Sequence, residues 1–173
     1  MSIPGRFTAE AEDSFVVFMI GMRVNRVWAV HKWVPVFKAM GGMISELYQN
    51  PELGFLGTEY FLQWRGVSLL QYWRSYDQLE QYARGGIHLK AWRNFNRAVG
   101  TDGTVGIYHE TYIVQPGQYE CLYNNMPKFG LAKATKHIPA VGRWETSRRR
   151  MGGHNDPAVA TPSNPEAADQ TIS

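Results

Sequence analysis

The segment Phe15–Asn25 limits the fold more than any other. Phe15, Val17 and Met19 are apolar on one parity, and Val16, Phe18 and Ile20 are apolar on the other. A strand alternates its side chains between two faces, so both faces of this one need cover. After Gly21 the faces part: Met22 and Val24 stay apolar, while Arg23 and Asn25 are polar. A strand buried on both sides at one end and polar on one side at the other can form a pocket wall.

The pattern that follows is helical over residues 26–49. Val27, Val30, Val34, Phe37, Gly41, Ile44 and Tyr48 recur at spacings of three and four. Pro35 disfavours helical geometry at Val34 and removes a backbone donor, which predicts a kink, or two helices with Pro35 in the first turn of the second. Gly41-Gly42 weakens the middle, and Asn50-Pro51 ends the element. Phe55–Trp64 and Gly66–Arg74 read as an antiparallel hairpin around Arg65-Gly66. Ser75 with Gln78 three positions on has capping-box spacing. Gly85-Gly86 closes that helix, a second short helix runs from about Ile87 to Val99, and Val105–Val114 is a strand ended by Pro116-Gly117. Tyr119–Tyr123 is expected as an edge strand, and Gly130–Arg150 as an irregular or short helical wrap.

The order is β-α-β-β-α-β, an α+β, ferredoxin-like arrangement with the helices on one face of a four-stranded sheet. Large apolar groups on both strand parities require the other face to be hidden too. Pairing two such sheets across a two-fold axis hides it and makes a dimeric α/β barrel. The expected organisation is a flexible arm over 1–14, this domain over 15–150 and a disordered tail over 151–173, where three prolines and few large apolar groups fall.

A chain of 173 residues with 44% apolar residues can bury a core, and its six tryptophans and nine tyrosines can also line a pocket for a flat ligand. The net charge is +3, but residues 151–173 hold Asp156, Glu166 and Asp169 and no Lys or Arg, so residues 1–150 carry +6. Much of that excess lies in 128–150, at Lys128, Lys133, Lys136, Arg143 and Arg148–Arg150 against Glu145. Either an anionic partner or a solvated basic edge accounts for it. No nucleic-acid-reading motif accompanies it, so no nucleic-acid partner is expected. Cys121 is the only cysteine, which suits a reducing compartment. The polar first 14 residues carry no secretory signal, and Val27–Met43 is broken by His31, Lys32, Pro35 and Lys38. A cytoplasmic protein without a membrane span is expected. No phosphate-binding loop, dinucleotide glycine pattern or HExxH zinc motif is present, and no metal site is expected.

Five blocks in order carry a resemblance. They are Phe18–Asn25 with Trp28, His31-Lys32-Trp33 and Pro35; Tyr72–Arg84; His88 with Ala91-Trp92-Arg93, Phe95-Asn96-Arg97 and Gly100; Gly106–Tyr112; and Asn124–Pro127 with Phe129-Gly130. Over roughly residues 15–150 the chain resembles the small monooxygenase-like family of fungal fumagillin-type biosynthetic clusters and its bacterial relatives. That family is similar to the dimeric α/β-barrel group. The group includes cofactor-free antibiotic-biosynthesis monooxygenases, haem-degrading monooxygenases and, more distantly, haem aldoxime dehydratases and chlorite dismutases. The resemblance implies a homodimer with one pocket per subunit, between sheet and helices. Fold alone does not settle the chemistry.

The candidate catalytic residues are His88 and His109, because a neutral imidazole can take a proton or bind iron near working pH. His88 near a helix start can instead bond only to backbone, and His109 in mid-strand can be a packed histidine. Glu110 points away from His109 in a regular strand, so the two cannot form a pair in one pocket. Arg23 and Asn25 share a face and can hold a carboxylate, an enolate or a carbonyl, or simply reach solvent. Trp92 follows His88 by one helical turn and can frame a flat ligand or pack in the core. Trp73, Tyr108 and Asn96 complete the expected substrate-binding set.

Three functions follow. The first is a monooxygenase that oxidises an organic, secondary-metabolite-like substrate with dioxygen and needs no cofactor. The second is a haem-binding enzyme, oxygenating or aldoxime-dehydrating, with His88 as axial ligand. The third is a non-catalytic dimeric binding or stress-response barrel.

Overall fold

The computed structural model describes residues 1–165, and its contacts divide the chain into two compact units. One unit comprises residues 14–113; the other joins residues 1–13 to the chain from Val114 onward. This differs from the expected single domain over 15–150.

The first unit holds strand β2 (Phe15–Val24), helix α1 (Val30–Gln49), strands β3 (Phe55–Gln63) and β4 (Gly66–Trp73), helices α2 (Tyr76–Ala83) and α3 (Gly86–Ala98), and strand β5 (Val105–Val114). The sheet order is β3-β4-β2-β5, with β2 and β3 each antiparallel to β4. This is the expected β-α-β-β-α-β unit, with strand bounds within one residue of those read from the sequence.

Parity decides which side chains meet the helices. Val16 and Met22 on β2, Val67, Leu69 and Trp73 on β4, and Val105 on β5 pack with Ile44, Leu47 and Leu79 from the helices. Trp73 is fully buried, edge-on to Phe55 and tilted against Tyr82 at 5.6 Å. The opposite parity, including Arg23, Ser68 and Tyr108, lies on the helix-free face: the Tyr108 ring sits against the Cα of Gly21, which pairs with Ser68.

Helix α1 differs from expectation in two ways. It runs unbroken through Pro35, because a proline five residues in removes one hydrogen bond near the N-terminus and leaves the later turns intact. Its inward stripe is Trp33, Val36, Met40, Ile44 and Leu47, whereas Val30, Phe37 and Tyr48 are exposed. The helix is apolar over much of its circumference, so a three–four spacing fits more than one face. Helix α2 begins as expected: the Ser75 hydroxyl accepts the Gln78 amide at 3.2 Å.

The second unit corrects the loose arm. Residues Arg6–Glu10 form β1, the central strand of a three-stranded antiparallel sheet between β6 (Tyr123–Asn124) and β7 (Lys136–Pro139). Short helices α4 (Leu131–Ala134) and α5 (Ser147–Arg150) follow the same chain. Thr8 and Ala9 are buried, and Phe7 stacks on His137 at 4.4 Å.

The basic stretch is largely neutralised within this unit. Arg150 is buried, pairs with Glu120, and donates to the carbonyls of Trp144 at 2.7 Å and Glu145 at 3.1 Å. Arg149 reaches Asp156 at 2.9 Å and Glu145 at 3.3 Å, Arg143 reaches Glu10 at 3.2 Å, and Lys136 pairs with Glu12. These pairs favour the reading of a structural edge over that of an anion site. Of the expected disordered tail, Asp156 makes that ion pair, Asn164 accepts the Arg6 amide at 2.6 Å, and residues 166–173 lie outside the described residues.

Candidate active site

A cavity of about 450 Å³ lies between the sheet and the helices of the 14–113 unit. That volume suits a drug-sized ligand. Phe18, Ile20, Ile107, His109 and Thr111 form its sheet side. Helix α1 contributes Pro35, Val36, Met40 and Met43; α2 contributes Tyr76, Leu79 and Ala83; α3 contributes His88, Trp92, Asn94 and Phe95. A smaller recess of about 40 Å³ adjoins it behind Phe18, Met43 and His88, and reaches Leu47, Gln71 and Trp73.

His88 borders both spaces. Its Nδ1 stands 2.8 Å from the carbonyl oxygen of Ala83. A carbonyl only accepts, so Nδ1 carries the hydrogen and donates it. In the neutral ring Nε2 then keeps its lone pair, and that nitrogen is available as a base or a ligand. The bond arises locally: Gly85 and Gly86 end α2 and start α3, which brings the His88 ring back onto the last carbonyls of α2.

Tyr82 stands beside His88, ring centroids 5.7 Å apart, and donates to Glu46 at 3.0 Å. Burial, and then the Glu46 carboxylate that accepts its bond, push the Tyr82 phenol well above its usual range, so it stays protonated. His109 lies at the exposed rim, 5.7 Å from the Phe18 ring. Trp92 is 46% exposed and stacked on Phe95 at 5.6 Å, which leaves one indole face for a ligand. Lys32, the one lysine or arginine among the lining residues, pairs with Asp102. That ammonium, with the Thr104 hydroxyl and amide, holds the Asp102 carboxyl well below the usual carboxylate range.

The structure therefore brings together His88, His109 and Trp92 of the expected set. It does not bring Arg23, Asn25 or Tyr108 to them. The three lie on the helix-free face, where a Cβ on Gly106 would point at Arg23 and Asn25, and Tyr108 bonds to Ser68. In a regular strand Arg23 cannot share a face with Phe18 and Ile20. Trp73 is core and touches only the recess, donating its indole N–H to Gln71 at 2.9 Å. Asn96 is exposed on α3 outside the lining, which Asn94 joins instead. Gln71, Asn94, Lys32 and the α1 methionines were missed; the parity of β4 and the true inward stripe of α1 would have pointed to Gln71, Met40 and Met43.

The model of the family described as monooxygenase af470-like matches residues 15–131. The chain belongs to the monooxygenase af470-like family. The protein named monooxygenase af470 from Aspergillus fumigatus is 28% identical over 138 residues, which are 71% of this chain and 48% of that protein. This chain thus spans about half the length of the curated relative it matches. The aldoxime dehydratase OxdRE, solved in complex with butyraldoxime, superposes with a TM-score of 0.63 at 18% identity, over 76% of this chain and 40% of that one. At that identity the likeness speaks for the fold alone, and it bears out a ferredoxin-like α+β architecture for this af470-like chain. SnoaB, a cofactor-independent oxygenase from Streptomyces nogalater, is more distant, with a TM-score of 0.43 and 10% identity over 59% of this chain and 94% of that one. Among the described residues, no helix is long and apolar enough to cross a membrane, and no group of three metal-ligating side chains occurs.

Proposed function

We propose that this chain is a small monooxygenase that takes an apolar organic substrate with an acidic C–H bond into the cavity beside His88. The observation that carries the reading is the Nδ1–H bond to Ala83, which leaves Nε2 as the acceptor of a ring lining a largely apolar cavity. Nε2 takes the proton from the substrate carbon. The resulting carbanion gives an electron to dioxygen, the two radicals join in a C–O bond, and the imidazolium returns its proton to the peroxide anion, giving a hydroperoxide. Where the oxidised carbon keeps a second hydrogen, loss of water leaves a carbonyl, and no outside reductant is consumed. Apolar walls from α1 and α3 keep water from the carbanion. His109 at the rim is the second candidate base. Membership of the monooxygenase af470-like family supports the same reaction class.

Haem is the alternative that the family's wider resemblance raises. His88 could supply one axial nitrogen, but a dianionic porphyrin finds no unpaired cation in the lining, because Lys32 is held by Asp102. The donor set fits that group poorly.

A homodimer belongs to the same proposal, supported by the exposed Phe61 and Tyr112 on the helix-free face, as does a cytoplasmic role in secondary metabolism. Oxygen uptake with a panel of β-diketones and acidic phenols tests the activity. Uptake by the purified chain, abolished in His88→Ala with the fold intact, is expected; no uptake with any of them sinks the proposal. A Soret band on haem titration that His88→Ala removes would favour the haem enzyme instead.

A further inference from the structure

The recess behind the cavity contains a donor that the proposed reaction leaves unused. Gln71 is only 5% exposed on β4, and its side chain lines that recess. Its Oε1 accepts the Trp73 indole N–H at 2.9 Å. An indole can only donate, so this bond fixes the amide: Oε1 turns to Trp73 and Nε2 turns away. Among the described residues Nε2 has no hydrogen-bond partner. The side-chain atom that is both sealed from solvent and unpartnered among them is His137 Nε2. Gln71 Nε2 is therefore not sealed off, and the recess is a space that Gln71 borders.

That space is about 40 Å³, room for one oxygen-bearing group and not for a ring. Leu47, Leu69 and Met43 wall it with apolar atoms, and the Tyr82 hydroxyl is already committed to Glu46. An amide donor facing an apolar recess without a partner is unfavourable until an acceptor arrives. Discrimination follows, because a site built to bond an oxygen rejects an analogue that lacks it.

We infer that Gln71 reads an acceptor oxygen at the leading end of the ligand, so that the substrate class is an apolar carbonyl compound. The carbonyl oxygen sits on Gln71 Nε2 in the recess, and the apolar body fills the larger cavity. The carbon next to the carbonyl then faces His88, which borders both spaces. This inference rests on the reading of the cavity as the substrate site.

The test compares two ligands of one shape: methyl hexyl ketone, and its isostere in which C=CH2 replaces C=O. Binding to the whole chain is measured by calorimetry, for the wild type and for Gln71→Leu. The wild type should hold the ketone on the order of tenfold tighter than the alkene, and Gln71→Leu should lose that preference. Should Gln71→Leu fail to fold, the infrared spectrum of a carbonyl-labelled ketone on the wild type decides: a carbonyl stretch displaced to lower wavenumber supports the bond. Equal binding of ketone and alkene, or a preference that survives in Gln71→Leu, overturns the role of Gln71 while leaving the cavity as the binding site. Binding of neither ligand overturns the cavity reading itself, and the inference with it.

Discussion

Gly21 gives the sharpest stability test, because the consequence of one added carbon can be worked from distances. A Cβ at Gly21 would lie 2.5 Å from Tyr108 Cε1 and 2.6 Å from its Cζ and Oη. Ordinary contact requires the ring to move by about 1 Å, an overpacking that costs about 1–3 kcal/mol. The movement also breaks the Tyr108–Ser68 hydrogen bond, worth about 1 kcal/mol, and Ser68 is buried. Alanine regains about 0.5–1 kcal/mol over glycine in a strand. Gly21→Ala should therefore destabilise the chain by about 1–3.5 kcal/mol in urea titration followed by tryptophan fluorescence. Removing the obstacle should remove the cost: in a Tyr108→Ala background the same substitution should be neutral or stabilising by about 0.5 kcal/mol. If Gly21→Ala costs as much in that background as in the wild type, the packing of Tyr108 over β2 is wrong.

Other expectations are simpler. Ser75→Ala removes the cap that accepts the Gln78 amide and should lower stability by about 1 kcal/mol by the same titration, whereas Ser75→Asp should keep most of it. His137 is held below its ordinary pKa by burial and by Lys128, so the unfolded chain binds its proton more readily than the folded one. Its contribution is complete at pH 7 and is lost as pH falls below about 6.5, so the urea midpoint should drop between pH 7 and pH 5 and drop less in His137→Phe. An unchanged pH slope in that variant contradicts the burial of the ring. Trp73→Ala empties the centre of the β2–β4 core and should cost about 3–5 kcal/mol, enough that much of the variant is unfolded at room temperature by circular dichroism.

The four strands and three helices of the larger unit were legible because their signals are local. Alternation sets a strand, Ser75 and Gln78 set a helix start, and Gly85-Gly86 separates two helices. The face of α1 was not legible, because its apolar residues surround the axis and the parity of β2 and β4 alone selects the inward stripe. Strand β1 was missed for a related reason: RFTAE is short and half polar, and its partners lie more than 100 residues away at Tyr123 and Lys136–Pro139. In the site, His88 and Trp92 could be grouped from one helical turn. Arg23 and Asn25 could not be placed, since polarity at a strand end says nothing about which sheet face the helices cover. Gln71 left no sequence signal as a ligand group; its meaning depends on the bond from Trp73 and on the recess beside it.

The proposed reaction belongs to the helix-covered face of the sheet. Oxygen uptake with one acidic carbonyl substrate, measured for four folded proteins, tests it most directly. The wild type, Arg23→Ala and Tyr108→Phe should consume oxygen at similar rates, and His88→Ala should lose at least a hundredfold, the usual scale for removing a general base. Uptake that survives in His88→Ala but falls in Arg23→Ala or Tyr108→Phe would put the reaction on the helix-free face and contradict the account.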